Sequence, residues 1–340
     1  FYLIGSWGSG RVGQGRYRMA SSAAGPWTVP AVDTLDGTEL MAPNSAQGPT
    51  ERLLFGWIPT YVNREDYASY EWGGHLAYPR VIYADATGKL FLRPPSALTQ
   101  LRDQTTAFNA SSPYAVQAGT WTPGTTQLAG TSAAGYAATL VPGSFSRFEM
   151  VTTVGVDATC NRAGIVFRMG DAGFSGYEAC VDYANQKFIL RRYQDSTNVL
   201  ASQPISVTRS SALELRVFVD GDIVEAFLDN KYALAGRAQV AGVNNRIGFY
   251  GYKGTAYFGY PAVHTLKAIY LPPDPPAINT YPAPDPKRAT GQSVLLPTST
   301  ANVYCPFNNA LNFSGDFTLE LWIKMTPGTG GYKSHLLVKG

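Results

Sequence analysis

The sequence predicts an all-β protein, and three observations carry this prediction. Apolar and polar residues alternate with a period of two along most of the chain, and no long segment keeps the 3.6-residue period of an amphipathic helix. The 340 residues include 35 Gly and 23 Pro, which suit short strands joined by turns. The 21 Tyr and 16 Phe belong to the residue types enriched in strands. This length allows two or three domains of ordinary size.

Residues 1–95 are predicted to form the first domain, from short strands separated by turn signals such as Leu35-Asp36-Gly37. Strands of this length and spacing are typical of propeller blades or of a sandwich. The predicted strands are Phe1–Gly5, Arg16–Ala20, Arg52–Ile58, His75–Ala84 and Lys89–Arg93.

Residues 96–110 are predicted to connect this domain to the next. The segment Pro94–Arg102 reads as a short helix, because prolines precede it and Ser96 can serve as its N-cap.

Residues 111–271 are predicted to form an antiparallel β-sandwich. Apolar residues alternate with others over Phe148–Val154 and again over Leu213–Val219. The second of these strands is followed by the turn Asp220-Gly221-Asp222 and a return strand, Ile223–Leu228. Alternation of this kind predicts one buried and one wet face in each strand, as a sandwich requires.

The last part of the chain divides into a linker, residues 272–290, and the start of another β-domain, residues 291–340. Prolines such as those of Pro272-Pro273-Asp274-Pro275-Pro276 cannot build a ladder, so the linker is expected to be extended and semi-rigid. A clear strand pattern follows at Phe317–Lys324. About 50 residues are too few to close a typical sandwich.

Both ends of the chain lie within sequence typical of strands, at Phe1-Tyr2-Leu3-Ile4 and at Leu336–Gly340. Natural domains rarely begin or end inside strands, because that leaves unpaired edges. We therefore expect this chain to be a fragment of a longer protein. The lack of a signal peptide then carries no information about localisation.

Charge and composition exclude several classes of function. The formal net charge of +3 is small and the charges are scattered, so neither nucleic acid nor a membrane is expected as a partner. No run of about 18 apolar residues is present. Cys160 and Cys180 read either as two buried thiols, which we favour, or as a disulfide, and with Cys305 and few histidines they make no zinc site. No metal or cofactor is predicted.

Glycoside hydrolysis needs two carboxylates across the scissile bond, about 5 Å apart when configuration is retained. No pair of carboxylates stands out by its context. Asp33 and Asp36 read as turn residues that accept backbone N–H bonds, and Glu65 and Asp66 read as part of a solvated loop.

Trp72 is the candidate for binding a sugar. It follows Glu71 and precedes Gly73-Gly74, so its indole could line a groove against which a sugar stacks. The alternative is a core tryptophan beside a glycine bend. Ser-His-Asp catalysis has little support. His75, His264 and His335 lie in sequence typical of strands, and no Gly-x-Ser-x-Gly nucleophile elbow is present.

Two stretches of the chain resemble glycoside hydrolase family 32, the group of invertases, inulinases and levanases. The first is similar to the last blade or blades of the family's propeller, where a "GW" strand precedes a "WGG…PR" strand. It runs through Gly15-Arg16-Tyr17-Arg18, Gly25-Pro26-Trp27, Asp33–Gly37, Leu54–Ile58, Trp72–Arg80 and Gly88-Lys89-Leu90. The second is similar to the "VD…VEVF" hairpin of the family's C-terminal sandwich, and consists of Leu215–Asp220 with Val224–Phe227.

The resemblance covers roughly residues 1–271. It implies a five-bladed β-propeller followed by a β-sandwich, and a retaining mechanism with an Asp nucleophile and a Glu acid/base. The "NDPNG"-like, "RDP" and "EC" motifs of the family are absent, and Glu178-Ala179-Cys180 lies in the sandwich part. No catalytic residue is therefore assigned, and only Trp72 is carried over, as a pocket-wall aromatic. Met41 departs from the aromatic residue usual at its position, which indicates a divergent branch.

The final segment is similar to the opening strands of a concanavalin A-like, laminin-G-type module. The resemblance rests on Ala310–Phe313 and Phe317–Ile323. Such modules accompany secreted carbohydrate enzymes and bind glycans, but no binding residue can be assigned from the beginning of one alone.

The sequence thus leaves three hypotheses. The first is part of a secreted, extracellular hydrolase of fructans or sucrose-like β-fructosides, with an oligo- or polysaccharide as substrate and the catalytic carboxylates upstream of Phe1. The second is a non-catalytic glycan-binding protein made of β-modules. The third is a structural or adhesion protein of a cell surface.

Overall fold

The computed structural model describes residues 1–7, 14–66, 69–170, 175–239 and 245–267, with the backbone alone for Trp7, Arg64, Glu71 and Trp72. The predicted linker at 272–290 and the predicted module at 291–340 lie outside the described residues. The described residues all belong to one compact unit, Phe1–Leu271. No helix among them is long and apolar enough to span a membrane.

Nearly all of the regular secondary structure in the described chain is β-strand, which confirms the all-β prediction. The strands are β1 (Tyr2–Trp7), β2 (Gln14–Met19), β3 (Met41–Gln47), β4 (Arg52–Tyr61), β5 (Tyr70–Leu76), β6 (Arg80–Ala84), β7 (Leu90–Arg93), β8 (Arg102–Ala107), β9 (Ala115–Ala118), β10 (Thr120–Pro123), β11 (Gln127–Leu140), β12 (Arg147–Val156), β13 (Arg162–Met169), β14 (Tyr177–Asp182), β15 (Lys187–Arg192), β16 (Val199–Pro204), β17 (Leu213–Asp220), β18 (Ile223–Leu228), β19 (Tyr232–Arg237), β20 (Arg246–Gly259) and β21 (Ala262–Leu266). Two short 3₁₀ helices lie at Val62–Arg64 and Ser96–Leu101.

The largest sheet folds back on itself to form a sandwich. Its main path is β16-β15-β14-β13-β20-β12-β17-β18-β19. The long strand β20 is shared, since its first part pairs with β13 and its last part with β12. We call β13 to β16 with the first part of β20 the proximal half, and β12 with β17 to β19 the distal half. Apolar side chains of both halves meet in one core, and β15 and β16 come into contact with β19.

An N-terminal layer precedes the sandwich. Its five-stranded sheet has the order β3-β4-β6-β7, with β5 paired to β4, and β1 and β2 form a separate hairpin. The strand predicted at His75–Ala84 is two strands instead, β5 and β6. Pro79 lies between them and cannot donate to a ladder, and β6 pairs with the start of β4 while β5 pairs with its end.

The outer face of the distal half is buried beneath the N-terminal layer. The prediction of one solvent-exposed face is therefore wrong for β17 and β18. Phe218 and Phe227 lie on that face at 1% exposure each. They share an apolar cluster with Leu54, Ile58 and Leu92 of the N-terminal layer. The layer and the sandwich are therefore joined by a second continuous core.

The predicted helix at Pro94–Arg102 is a 3₁₀ helix, Ser96–Leu101. Its cap residue is Pro95, and no side chain makes a capping bond, so the assignment of Ser96 as N-cap is wrong. The following strand, β8, pairs with β21 at the edge of the distal half.

Cys160 and Cys180 are both buried free thiols. Cys160 Sγ lies 3.3 Å from the carbonyl oxygen of Arg162, and Cys180 Sγ lies 3.9 Å from Glu178 Oε1. Two buried thiols were the favoured interpretation of the sequence. Cys305 lies outside the described residues.

Candidate functional site

Trp72 lies in β5, where that strand pairs irregularly with the end of β4. Pro59 pairs with Gly74 and Tyr61 with Tyr70, and the register shifts between these two pairs. Gly73 has φ +99°, a conformation that side chains rarely adopt, and a Cβ on Gly74 would lie 2.3 Å from the carbonyl oxygen of Ile58. The backbone conformation at Gly73 and the close approach of β4 at Gly74 thus require glycine at these positions. The role of the Trp72 indole stays a prediction.

A buried carboxylate, Glu39, lies at the same end of β4, and the sequence reasoning missed it. Its side chain accepts a hydrogen bond from the Tyr61 hydroxyl and another, 3.1 Å long, from the Thr38 hydroxyl. The ring of Tyr61 stacks on that of Tyr70, with centroids 5.4 Å apart. The available signal was an acidic residue that directly precedes the apolar pair Leu40-Met41, where β3 begins. Glu39 is 2% exposed, so its carboxylate is a buried acceptor that ties Thr38 and Tyr61 together.

Three charged side chains are fully buried between the N-terminal layer and the sandwich. Arg80, at the start of β6, donates through Nη1 to Asp36 and through Nη2 to Glu225 Oε2 at 2.8 Å. Asp36 also accepts from the backbone N–H of Ala235, and Glu225 accepts from the backbone N–H of Tyr78 at 2.6 Å. We call Asp36, Arg80 and Glu225 the interlayer triad. Asp36 lies in a bend and accepts a backbone N–H, as its interpretation as a turn residue predicted, but this N–H belongs to Ala235 of the sandwich, which buries the side chain.

The electrostatics of the interlayer triad follow from one guanidinium facing two carboxylates. Burial raises the pKa of Asp36 and of Glu225 above their ordinary values, although Arg80 acts in the opposite direction. Burial alone would lower the pKa of Arg80, but Asp36 and Glu225 outweigh it and raise that pKa. Arg80 therefore stays charged and binds both carboxylates. The interlayer triad is thus a structural contact, and we assign its two carboxylates no catalytic role.

Arg237, at the end of β19, fixes the end of the β4–β5 pair. It is buried and donates to the carbonyl oxygens of Pro59 and Ile58, at 2.5 and 3.3 Å. Its Nη2 lies 2.6 Å from Nδ1 of His75, and its Nη1 donates to Asp222 at 2.9 Å. A guanidinium has five donors in a rigid fork, so one side chain of the sandwich contacts both β4 and β5, the strand that carries Trp72.

Asp66 makes a third contact between the layers, and its interpretation as part of a solvated loop is wrong. It is 3% exposed and accepts from the hydroxyl of Tyr177, from Nε of Arg192 at 2.6 Å and from the backbone N–H of Gln239 at 2.7 Å. Its neighbour Glu65 is exposed, as predicted. A buried carboxylate persists here because several donors on the sandwich satisfy it.

The fold and these contacts define a class: an all-β protein in which a β-layer carrying aromatic and acidic groups is fastened to a β-sandwich by buried ion pairs. Residues 99–258, most of that sandwich, match the family model described as glycosyl hydrolases family 32 C terminal. This match confirms the resemblance inferred for the C-terminal part of the described chain. A search of curated proteins finds no match.

Solved structures of family 32 type share the fold. The chain is similar to exo-inulinase from Aspergillus awamori (14% identity, TM-score 0.51), covering 78% of this chain and 52% of the other. It is also similar to sucrose-6-phosphate hydrolase from Lactobacillus gasseri (15%, TM-score 0.52, 76% and 48%). A third is a variant of fructan 1-exohydrolase IIa from Cichorium intybus in complex with 1-kestose (12%, TM-score 0.51, 78% and 61%). The chain spans about half the length of these structures.

Proposed function

We propose that this chain is the C-terminal portion of a secreted, extracellular glycoside hydrolase that acts on fructans or sucrose-like β-fructosides. The match of residues 99–258 to the C-terminal domain of family 32 carries the proposal. The shared fold of the N-terminal layer and sandwich with an exo-inulinase and a fructan exohydrolase supports it. In this proposal the N-terminal layer is the last part of a five-bladed propeller, whose remaining blades carry the catalytic carboxylates.

The reaction in the intact protein follows from the chemistry of retaining glycosidases. A Glu protonates the glycosidic oxygen while an Asp attacks the anomeric carbon, and water then hydrolyses the glycosyl-enzyme. We assign neither residue to this chain. Its contribution is one wall of the substrate pocket, in which the Trp72 indole packs on the sugar ring. The sandwich holds this wall in place through Arg237 and the interlayer triad.

The experiment extends the chain upstream to the natural start of its gene and measures fructose release from sucrose, inulin and levan. The extended protein is expected to hydrolyse at least one of them, and the 340-residue chain none. An extended protein that contains no Asn-Asp-Pro or Arg-Asp-Pro segment, or that is inert towards all three substrates, refutes the proposal. Turnover by the 340-residue chain alone shows that the active site has been misplaced.

Trp72→Ala in the extended protein tests the pocket wall. Loss of a stacking aromatic is expected to raise KM roughly 2- to 10-fold, with little change in the free energy of unfolding. Trp27→Ala is the matched control, because Trp27 lies in the same layer and is 37% exposed. A large loss of stability with unchanged KM supports a core role for Trp72 instead.

A further inference from the structure

The loop between β8 and β9 contains the tripeptide Asn109-Ala110-Ser111. An asparagine followed by any residue except proline, and then by Ser or Thr, is the acceptor sequence for N-linked oligosaccharides in secreted proteins. Across the part of the chain that the structure describes, no other asparagine has Ser or Thr two positions later. Such a tripeptide also arises by chance, so what distinguishes a usable acceptor is how the fold presents its asparagine.

All three residues of the tripeptide are exposed, and they lie in a tight turn. Asn109 Oδ1 accepts a hydrogen bond from the backbone N–H of Ser111 at 2.8 Å, and Ser112 Oγ accepts one from the backbone N–H of Asn109 at 3.0 Å. The backbone N–H of Ser112 donates to the carbonyl oxygen of Asn109 at 3.1 Å. Since Oδ1 is bound to the turn, Nδ2, the atom that an oligosaccharide would join, lies on the other side of the same planar amide.

The base of this loop is anchored to the sandwich on both sides of the tripeptide. Phe108, directly before it, is 7% exposed, and its backbone N–H donates to the carbonyl oxygen of Pro261 at 3.1 Å. Tyr114, after it, stacks on Tyr260 with ring centroids 6.5 Å apart, and both rings pack against the main core. The turn is therefore fixed at its base while its tip lies in solvent, so a group on Nδ2 requires no packed side chain to move.

The two strands that this loop joins are both edge strands. Among the described residues, β8 pairs only with β21, and β9 pairs only with β11. Residues 103–107 of β8 are exposed, and Val116 of β9 is 54% exposed. An edge of this kind can pair with another chain, because its backbone N–H and C=O groups have no partner on one side. An oligosaccharide on the connecting loop would add a bulky, hydrated group beside both edges.

We propose that Asn109 is an N-glycosylation site and that its glycan covers the edges of β8 and β9. The donor is an oligosaccharide linked to a polyprenyl pyrophosphate. Nδ2 attacks the anomeric carbon of the first sugar, the bond from that carbon to the phosphate oxygen breaks, and the pyrophosphate leaves with the electron pair. Nδ2 gives up one proton to a base of the transferase. The inference rests on the secretion that belongs to the proposed function, and it is independent of hydrolysis.

The test secretes the 340-residue chain from a eukaryotic cell line and maps its peptides by mass spectrometry, before and after treatment with peptide-N-glycosidase. The peptide that contains Asn109 is expected to carry an oligosaccharide, which the enzyme releases while converting Asn109 to aspartate. Mapping of peptides is needed because Asn312-Phe313-Ser314, outside the described residues, has the same pattern. Asn44 is the internal control, since it is exposed but is followed by Ser45-Ala46, and it is expected to stay unmodified.

Substitutions at Ser111 separate the acceptor sequence from the turn. Ser111→Ala keeps the backbone N–H that binds Asn109 Oδ1, and it is expected to abolish modification of Asn109. Ser111→Thr retains the acceptor sequence and is expected to preserve it. Sedimentation velocity of the glycosylated and enzyme-treated chains then measures the edges, and the treated chain is expected to self-associate at the lower protein concentration.

An unmodified Asn109 peptide in the secreted chain overturns the proposal, and so does modification that persists in Ser111→Ala. Equal self-association of the two forms overturns the covering of the edges. The peptide map of the unsubstituted chain is decisive by itself if a variant is not secreted. A glycosylated extended protein that is inert towards fructosides contradicts the proposed function alone, whereas an active one with an unmodified Asn109 contradicts this inference alone.

Discussion

Replacing Arg80 by methionine is the sharpest test of the contact between the N-terminal layer and the sandwich. Arg80 is 1% exposed and is the cation held between Asp36 and Glu225. Methionine preserves much of the volume but removes the charge and both hydrogen bonds. Two buried carboxylates then face each other without a counter-charge.

The expected cost follows from the burial of all three side chains. Removing one partner of a buried, hydrogen-bonded ion pair costs about 3–5 kcal/mol in the free energy of unfolding. Arg93→Met is the matched control, because the Arg93–Glu51 pair in the same layer is roughly one third exposed on each side. A pair of that kind contributes about 0–1 kcal/mol.

The destabilisation should also depend on pH, with a definite sign. Burial already raises the pKa of Asp36 and Glu225, and without Arg80 their pKa values rise further. A carboxyl whose native pKa exceeds its unfolded value contributes stability that is fully present below the unfolded pKa, near 4, and is lost as pH rises through the native pKa. Arg80→Met should therefore be most destabilising at neutral pH and less so near pH 5.

The assay is urea unfolding followed by tryptophan fluorescence and by circular dichroism, at pH 7 and at pH 5. Arg80→Met should lower the unfolding midpoint far more than Arg93→Met at pH 7, and the gap should narrow at pH 5. If Arg80→Met costs no more than Arg93→Met, or if its cost is the same at both pH values, the reasoning that the triad is a buried, stabilising contact between the layers is refuted.

Three further predictions concern an acidic residue buried between the layers, an aspartate in a turn of the sandwich and the two buried thiols. Asp66→Asn should cost about 3 kcal/mol, because the carboxylate accepts from a buried tyrosine, an arginine and a backbone N–H, and an unchanged thermal midpoint would contradict this. Burial acts to raise the pKa of Asp157, but the Thr159 hydroxyl and three backbone N–H groups outweigh it and lower that pKa. Its contribution to stability is thus present above pH ~4 and lost as pH falls, so Asp157→Asn should flatten the acid limb of a stability–pH profile. Burial raises the pKa of Cys160 to about 11 and of Cys180 to about 12, so both thiols should resist iodoacetamide at pH 8 until urea unfolds the chain, as peptide mass spectrometry would show.

Local patterns predicted the sandwich strands well, because their signals lie within a few residues. The hairpin of β17 and β18 is the clearest case. Alternating apolar residues define both strands, and Gly221 supplies the positive φ of +63° that the turn requires. The break at Pro79 was present in the sequence too, since proline cannot donate to a ladder, but the continuous apolar pattern around it obscured the boundary.

The contacts between the layers could not be predicted, because they join residues far apart in the chain. Phe218 and Phe227 have the period-2 spacing of outward-facing residues, and nothing local shows that another sheet covers them. Asp66 stands in a loop rich in polar residues, and its burial depends on donors more than a hundred positions later. Charge and local context alone therefore misplace such carboxylates on the surface.

The candidate site was predicted only in its aromatic part. Trp72 was found because its two glycines mark a special backbone, whereas Glu39 looked like any other acidic residue near a turn. Its burial arises from Tyr61, which arrives on a different strand. The pairing of a carboxylate with an aromatic hydroxyl is a property of the assembled sheet, so it became visible only when β3, β4 and β5 were placed together.

The arrangement of the buried polar contacts explains why a sandwich accompanies this N-terminal layer. Arg237 holds the end of the β4–β5 pair, the interlayer triad holds the start of β6, and Asp66 fixes the loop between β4 and β5. These contacts fall on both sides of Trp72 along the chain, at Pro59 and Asp66 before it and at Arg80 after it. A pocket wall must be held within a fraction of an ångström to act on a sugar, and loops alone provide less precision than packed strands. In the proposed function, the sandwich therefore serves as a rigid support for the proposed pocket wall.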